Sequence, residues 1–273
     1  MTAMTFTLLA DPPERLDLSP LTPEKLAGMG RRDIEKIRLG LSKHASTVAD
    51  IFRVSGGDVQ SIVFDGGAGR FDRVAADLTG GSVRVAGDVG SQAGRNMRGG
   101  QLVIEGGAGP HAGSGMRGGR LEIKGDAGDH LGAPLAGELA GMNGGVLIVR
   151  GRAGAFAADH MRRGLIAILG GSGDHAGSRM IAGSLVIAGG TGVMPGYLMR
   201  RGSIFLDRAP ENLSPSFVEC GAPESSFAAL LDRYLVEEGI LGLPLLGRAP
   251  RKFSGDNAVL GMGEVLCPLS LGS

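Results

Sequence analysis

Three regularities predict an all-β chain, a right-handed parallel β-helix of about seven 19-residue coils with small helical N- and C-terminal flanks. The first is a methionine marker: Met97, Met116, Met142, Met161, Met180 and Met199 are separated by 19, 26, 19, 19 and 19 residues. Counting 19 back from Met97 reaches Leu78, an apolar equivalent. The second is an aliphatic pair five and seven positions after each marker: Val83/Val85, Leu102/Ile104, Leu121/Ile123, Leu147/Val149, Ile166/Ile168, Leu185/Ile187 and Ile204/Leu206. The third is glycine, 50 of 273 residues, placed two to three positions after every marker (Gly80 through Gly202) and nine after the first six (Gly87 through Gly189).

Each unit reads as a short half-buried strand, because its apolar residues alternate with period two, closed by a glycine turn. Nineteen residues are too few for a two-helix repeat, and no Leu-x-x-Leu-x-Leu frame is present. What remains is one coil of a parallel β-helix, each strand pairing with its counterpart one coil on. Strands stacked so lie about 4.8 Å apart, giving a rod on the order of 35 Å long. No six-residue phase of the left-handed acyltransferase kind exists, which favours the right-handed form. Glycine turns the corners because it accepts positive φ. Methionine, flexible and apolar, suits one buried position per coil.

The elements follow in order. Residues 1–50 form an N-terminal arm or cap, with a short helix begun by Thr22 and Pro23 and closed by Gly28, then a helical turn over Arg32–Ile37. Residues 51–206 form the β-helix, starting from the degraded unit Ile62–Gly67. The single 26-residue interval contains seven extra residues within Leu131–Met142, expected to leave the coil as a loop. Residues 207–273 form a C-terminal helical cap and tail, in which Phe227, Leu230, Leu231, Tyr234 and Leu235 mark the apolar face of a helix. Caps are required because a solenoid end exposes unpaired strand edges.

Composition narrows the function. Lysine plus arginine balance aspartate plus glutamate at 28 each, tryptophan is absent, and aromatics are few, unlike a nucleic-acid binder. The longest aliphatic run, Leu165–Leu169, is far short of the roughly 20 residues of a membrane helix. No secretory signal is visible, and two cysteines, Cys220 and Cys267, build neither a disulfide framework nor a four-thiolate site. A reducing cytoplasm is the expected location.

Two columns carry candidate chemistry. His111, His130 and His175 share a coil phase with Gln92, Phe156 and Met194. A column that accepts phenylalanine and methionine is better read as a ladder of stacked side chains than as a metal site; His160 falls at another phase and His44 in the N-terminal flank. The position after each methionine holds Arg98, Arg117, Asn143, Arg162, Ile181 and Arg200, with Arg163 and Arg201 thickening the line. Arginine's fork suits carboxylates and phosphates, so this stripe is a candidate for an anionic tail or an acidic partner. The alternative is a solvated corner balanced by nearby carboxylates. No catalytic residue and no metal ligand is assigned: Asp174, His175 and Ser178 occupy ordinary repeat positions, and the glycine clusters lack the Gly-Lys-Ser/Thr of a phosphate loop.

The glycine-rich coils resemble the C-terminal β-helix domain of glutamate synthase large subunits and the C subunit of formylmethanofuran dehydrogenase. The resemblance rests on Gly87–Gly90, Gly125–Gly128 with the inserted Gly132–Gly137, Ala176–Met180, Gly196–Met199, Phe217–Gly221 and the closing Gly255-Asp256. The Leu18–Thr22 segment and the C-terminal helix are most similar to the bacterial branch, the C subunit of formyltransferase/hydrolase complexes. This implies a non-catalytic scaffold subunit of a cytoplasmic hetero-oligomer that moves a formyl group from formyl-tetrahydromethanopterin to a methanofuran-type coenzyme and releases formate. Formyl transfer and hydrolysis would belong to companion subunits, with no nucleic acid or membrane involved. Such coenzymes end in a glutamate chain, so Arg98, Arg117, Arg162 and Arg200 become candidate contacts for a polyglutamate tail. Alternatives are a subunit of a molybdenum or tungsten formylmethanofuran dehydrogenase, a glutamate-synthase-like domain protein, and a free-standing β-helix enzyme acting on polysaccharide.

Overall fold

A computed structural model describes residues 2–40, 45–247 and 249–269; His44 lies outside them. The N-terminal region supplies strands β1 (Ala3–Leu8) and β2 (Leu16–Asp17) and short helices α1 (Pro23–Leu26), α2 (Arg31–Glu35) and α3 (Val48–Ile51). Next come β3 (Phe52–Ser55), β4 (Asp58–Asp65) and β5 (Phe71–Asp72). The repeats follow as β6 (Ser82–Val85), β7 (Gln101–Ile104), β8 (Arg117–Ile123), β9 (Asn143–Val149), β10 (Arg163–Ile168), β11 (Ser184–Ile187) and β12 (Arg201–Leu206). The chain ends with β13 (Val218–Glu219), α4 (Ser226–Glu237), β14 (Arg251–Gly255) and β15 (Met262–Cys267).

Thirteen of these strands make one sheet, ordered β13-β14-β15-β12-β11-β10-β9-β8-β7-β6-β4-β1-β3. From β1 through β4, β6 to β12 and on to β15 every neighbour is parallel, so the fold is an all-β solenoid. The register keeps equivalent residues opposed: Ile62, Val83, Leu102, Leu121, Leu147, Ile166, Leu185, Ile204 and Val265 form one inward column. A second wall is a file of parallel bridges joining Ala68, Val89, Ala108, Ala127, Ala153 and Ser172. Small residues there let the walls approach, and the marker methionines, all fully buried, fill the space inside.

Backbone groups in the turns are satisfied from coil to coil, as buried peptide groups must be. Carboxylates strengthen the corners: Asp88 accepts from the Gly107 N–H at 2.7 Å, Asp126 from Arg152 at 2.7 Å and Asp174 from Val193 at 2.9 Å. At the corner where each repeat strand begins the coils nearly touch. A methyl group on Gly118 would sit 2.4 Å from the Arg98 carbonyl oxygen, and Gly119 has φ +81°. Neither position admits a side chain without displacing backbone.

The two flanks extend the same sheet. At one end β1 and β3 pair antiparallel; at the other β14 and β15 do, with β13 outermost. Glu24 of α1 accepts from the backbone of Thr79 and Gly80, fastening the N-terminal arm to the first full repeat. Buried Asp256 fastens the far end, accepting from the Leu198 and Ala258 N–H groups at 2.9 Å each and from the Ser216 hydroxyl. Burial pushes its carboxyl up, but these donors prevail and hold it below the usual carboxylate range.

Helix α4 departs from expectation in how it is packed. It lies on the outer face of the later strands, where Ile148, Leu165, Ala167, Val186, Phe205 and Leu266 form a second core with Ala228 and Leu235. Those strands therefore read as unbroken apolar runs, being covered on both faces. Of the predicted apolar face only Leu235 is fully buried, and Phe227, Leu230 and Tyr234 are exposed. The contact side is instead shifted to Ala228, Leu231, Asp232 and Leu235. Asp232 tolerates burial because it accepts N–H groups of Leu245, Leu246 and Gly247 at 3.0, 2.9 and 3.2 Å.

Candidate functional site

The residue after each methionine occupies the corner at or just before the start of the repeat strand. Its N–H donates to the marker carbonyl of the preceding coil: Arg98 to Leu78, Arg117 to Met97, Asn143 to Met116, Arg162 to Met142, Ile181 to Met161 and Arg200 to Met180. The six positions thus form a straight file whose ends are about 24 Å apart at sheet spacing. Arg98, Arg117, Arg162 and Arg200 are all exposed, as are Arg163 and Arg201 beside them.

None of these six guanidinium groups makes an ion pair among the described residues. Several arginines nearby are paired. On the outer strand face Arg84 pairs with Glu105 and Arg150 with Glu122, each at 2.9 Å. Arg179, near the file, grips buried Asp159 through two hydrogen bonds of 2.9 and 2.7 Å. The carboxylates of these pairs are engaged away from the file, which makes no ion pair of its own among the described residues.

The file is richest at its C-terminal end. Arg162, Arg163, Arg200 and Arg201 surround a cleft of about 350 Å³ with Ile181, Ala182 and Leu260. A neighbouring cleft of about 490 Å³ shares Ile181 and Arg200 and is bounded by Leu139, His160, Leu198 and Val259. Leu139 belongs to the insertion, which carries no strand and rises from the coil at this point. Sequence spacing located the arginines; it could not locate the apolar walls, which come from the insertion and from the loop before β15.

The histidine column is a stack. His111 and His130 lie face to face with ring centroids 4.8 Å apart, His130 and Phe156 5.2 Å, and Phe156 and His175 5.0 Å. All four residues have positive φ, between 58° and 61°, a conformation usually left to glycine. Ring stacking among these four offsets part of that cost, while Gln92 and Met194 of the same column adopt the same conformation without a ring. Burial and the neighbouring His130 lower the pKa of His111. Among the described residues no three histidine, cysteine, aspartate or glutamate side chains form a metal-binding group, and no helix is long and apolar enough to cross a membrane.

No family model matches the chain. A stretch of 88 residues is 43% identical to the C subunit of the formyltransferase/hydrolase complex Fhc of Methylorubrum extorquens, covering 32% of this chain and 33% of that relative. The match therefore spans about a third of the relative's length. Over nearly the whole chain the fold superposes on a chain of the crystal structure of the formyltransferase/hydrolase complex FhcABCD from the same organism, determined with methylofuran. That superposition has a TM-score of 0.92 and 43% identity, covering 97% of this chain and 99% of the other. With 43% identity over 97% of its length, the chain belongs to the C-subunit family of formyltransferase/hydrolase complexes.

Proposed function

We propose that this chain is a non-catalytic scaffold subunit of a cytoplasmic complex that transfers a formyl group from formyl-tetrahydromethanopterin to a methanofuran-type coenzyme and releases formate. The observation that carries the reading is the near-complete superposition on a chain of the FhcABCD complex. Formyltransferase and hydrolase subunits are the companions. Residues 51–206 act as the right-handed β-helix of about seven coils, and residues 1–50 and 207–273 as its caps. A rod stiffened by in-register hydrogen bonds suits the holding of two active sites at a fixed separation. Producing the companions without this chain tests the reading: they should fail to assemble, and adding the chain back should restore the complex.

The arginine edge contacts an anionic chain, either the polyglutamate tail of the coenzyme or an acidic stretch of a companion. Its support is the absence of ion pairs at Arg98, Arg117, Arg162 and Arg200 among the described residues, while neighbouring arginines are paired. Arg98 and Arg117 are about 4.8 Å apart and Arg162 about 14 Å beyond Arg98, a spacing that can follow successive carboxylates. Changing Arg98, Arg117 and Arg162 together to glutamine should lower bound coenzyme, retained companions, or both. Unchanged values for both would return the edge to a solvated surface.

A further inference from the structure

We infer that the C-terminal end of the arginine edge, together with the tip of the insertion, is a docking cleft for a companion polypeptide segment that carries both carboxylates and large apolar side chains. The inference rests on the reading of the edge as anion-binding and goes further by naming the occupant of one end.

Charge supplies the first argument. Arg162, Arg163, Arg200 and Arg201 crowd the corners of coils that stand two apart, about 10 Å. No acidic residue lines either cleft. Arg179, which borders the second cleft, is already neutralised by Asp159. Uncompensated like charges at this density are relieved by an acidic partner, and arginine forks match its carboxylates in two-point hydrogen bonds.

Apolar exposure supplies the second. Leu139 is 89% exposed, Leu260 52% and Val259 44%, and all three border the clefts. Leu139 is held out by a braced loop. Its neighbour Glu138 is gripped by Arg95 at 2.7 Å and accepts the Leu135 N–H at 3.0 Å. The Gly141 N–H, on the other side, donates to the His160 carbonyl at 3.1 Å. A loop that fixes a leucine in solvent beside unpaired arginines has the make-up of an interface centre, where arginine and apolar anchors concentrate.

The combination selects the partner. A bare polyanion would use the arginines and leave Leu139 and Leu260 in water. An anionic bilayer presents a broad surface, whereas these are clefts that admit individual side chains. A folded or extended acidic segment with leucine- or phenylalanine-like residues uses both features.

The test compares two variants within the co-expressed complex: Arg162→Gln/Arg163→Gln/Arg200→Gln/Arg201→Gln, and Leu139→Ser/Leu260→Ser. All six side chains are solvent-facing, so an unchanged thermal midpoint serves as the folding control, and Leu139→Ser alone is the gentlest version. Companion subunits retained per chain, bound coenzyme, and binding to phosphatidylserine vesicles are measured on each. The inference expects both variants to weaken companion retention by about tenfold or more at physiological salt. Loss in the arginine variant alone would overturn the mixed chemistry. Full companion retention with reduced coenzyme would overturn docking while leaving the anion-binding edge in place. Full retention with vesicle binding abolished would overturn it in favour of a lipid surface, and no change in any measure would overturn both the inference and the edge reading.

Discussion

Replacing Leu121 by alanine removes a side chain from the middle of the inward column. Leu121 is fully buried and stands in register between Leu102 and Leu147. Its Cδ2 methyl lies over Gly94 and Gly113, both at positive φ and without a side chain to move into the space. Three lost carbons at about 0.8 kcal/mol each give roughly 2.4 kcal/mol of lost transfer energy. A cavity term adds to this, and leucine-to-alanine changes in cores span about 2–5 kcal/mol depending on how far the site collapses. Here collapse is limited, because coil spacing is set by continuous backbone hydrogen bonding on several sides. The expected loss is therefore about 3–4 kcal/mol, read from urea unfolding as a lowered midpoint at constant slope. Leu139→Ala, at the exposed insertion tip, is the control and should change stability by less than about 0.5 kcal/mol. A loss below about 0.5 kcal/mol for Leu121→Ala as well would mean that inward and outward faces are exchanged and the column is not the core.

The same stack sets three further expectations. Gly118→Ala should lower the thermal midpoint and loosen the corner that carries Arg117, because its methyl would meet the Arg98 carbonyl; an unchanged midpoint would show that neighbouring coils separate freely. Since the folded pKa of His111 is depressed from 6.5, its contribution is fully present above that value and is lost as pH falls through the folded pKa. Between pH values on either side of this window His111→Phe, which copies Phe156 in the same column, should flatten the acid-side decline seen in urea midpoints; an identical pH profile would discount the ladder as its source. Deleting the seven extra residues within Leu131–Met142 should leave the rod folded and weaken assembly, measured by circular dichroism and by companion retention. An unfolded product would make the segment part of the core.

Much of the fold could be read from spacing alone, because a solenoid repeats its physics. Each methionine marker is buried, and each aliphatic pair faces inward, since the alternation they show is that of a strand with one wet face. The same alternation carried a signal that was harder to use. Between the inward pairs stand Arg84, Val103 and Glu122 in early coils but Ile148, Ala167, Val186 and Phe205 in later ones. That change marks where the C-terminal segment covers the sheet, and it explains why α4 packs on the side through Ala228 and Leu235. The positive φ of the His111 column was not legible, because imidazole and phenyl side chains give no local sign of a left-handed backbone. For the candidate site, period alone aligned Arg98, Arg117, Arg162 and Arg200. Their lack of ion-pair partners among the described residues and the apolar walls from Leu139 and Leu260 depend on tertiary placement that no spacing encodes.

Isolation of the native complex through a tag on this chain tests the scaffold reading most directly, with subunit ratios and formyl transfer measured on the product. The account predicts that formyltransferase and hydrolase subunits emerge with it in fixed proportion, and that the chain produced alone neither transfers formyl groups nor releases formate. Recovery of a lone monomer, or formate release by the chain alone, would contradict it.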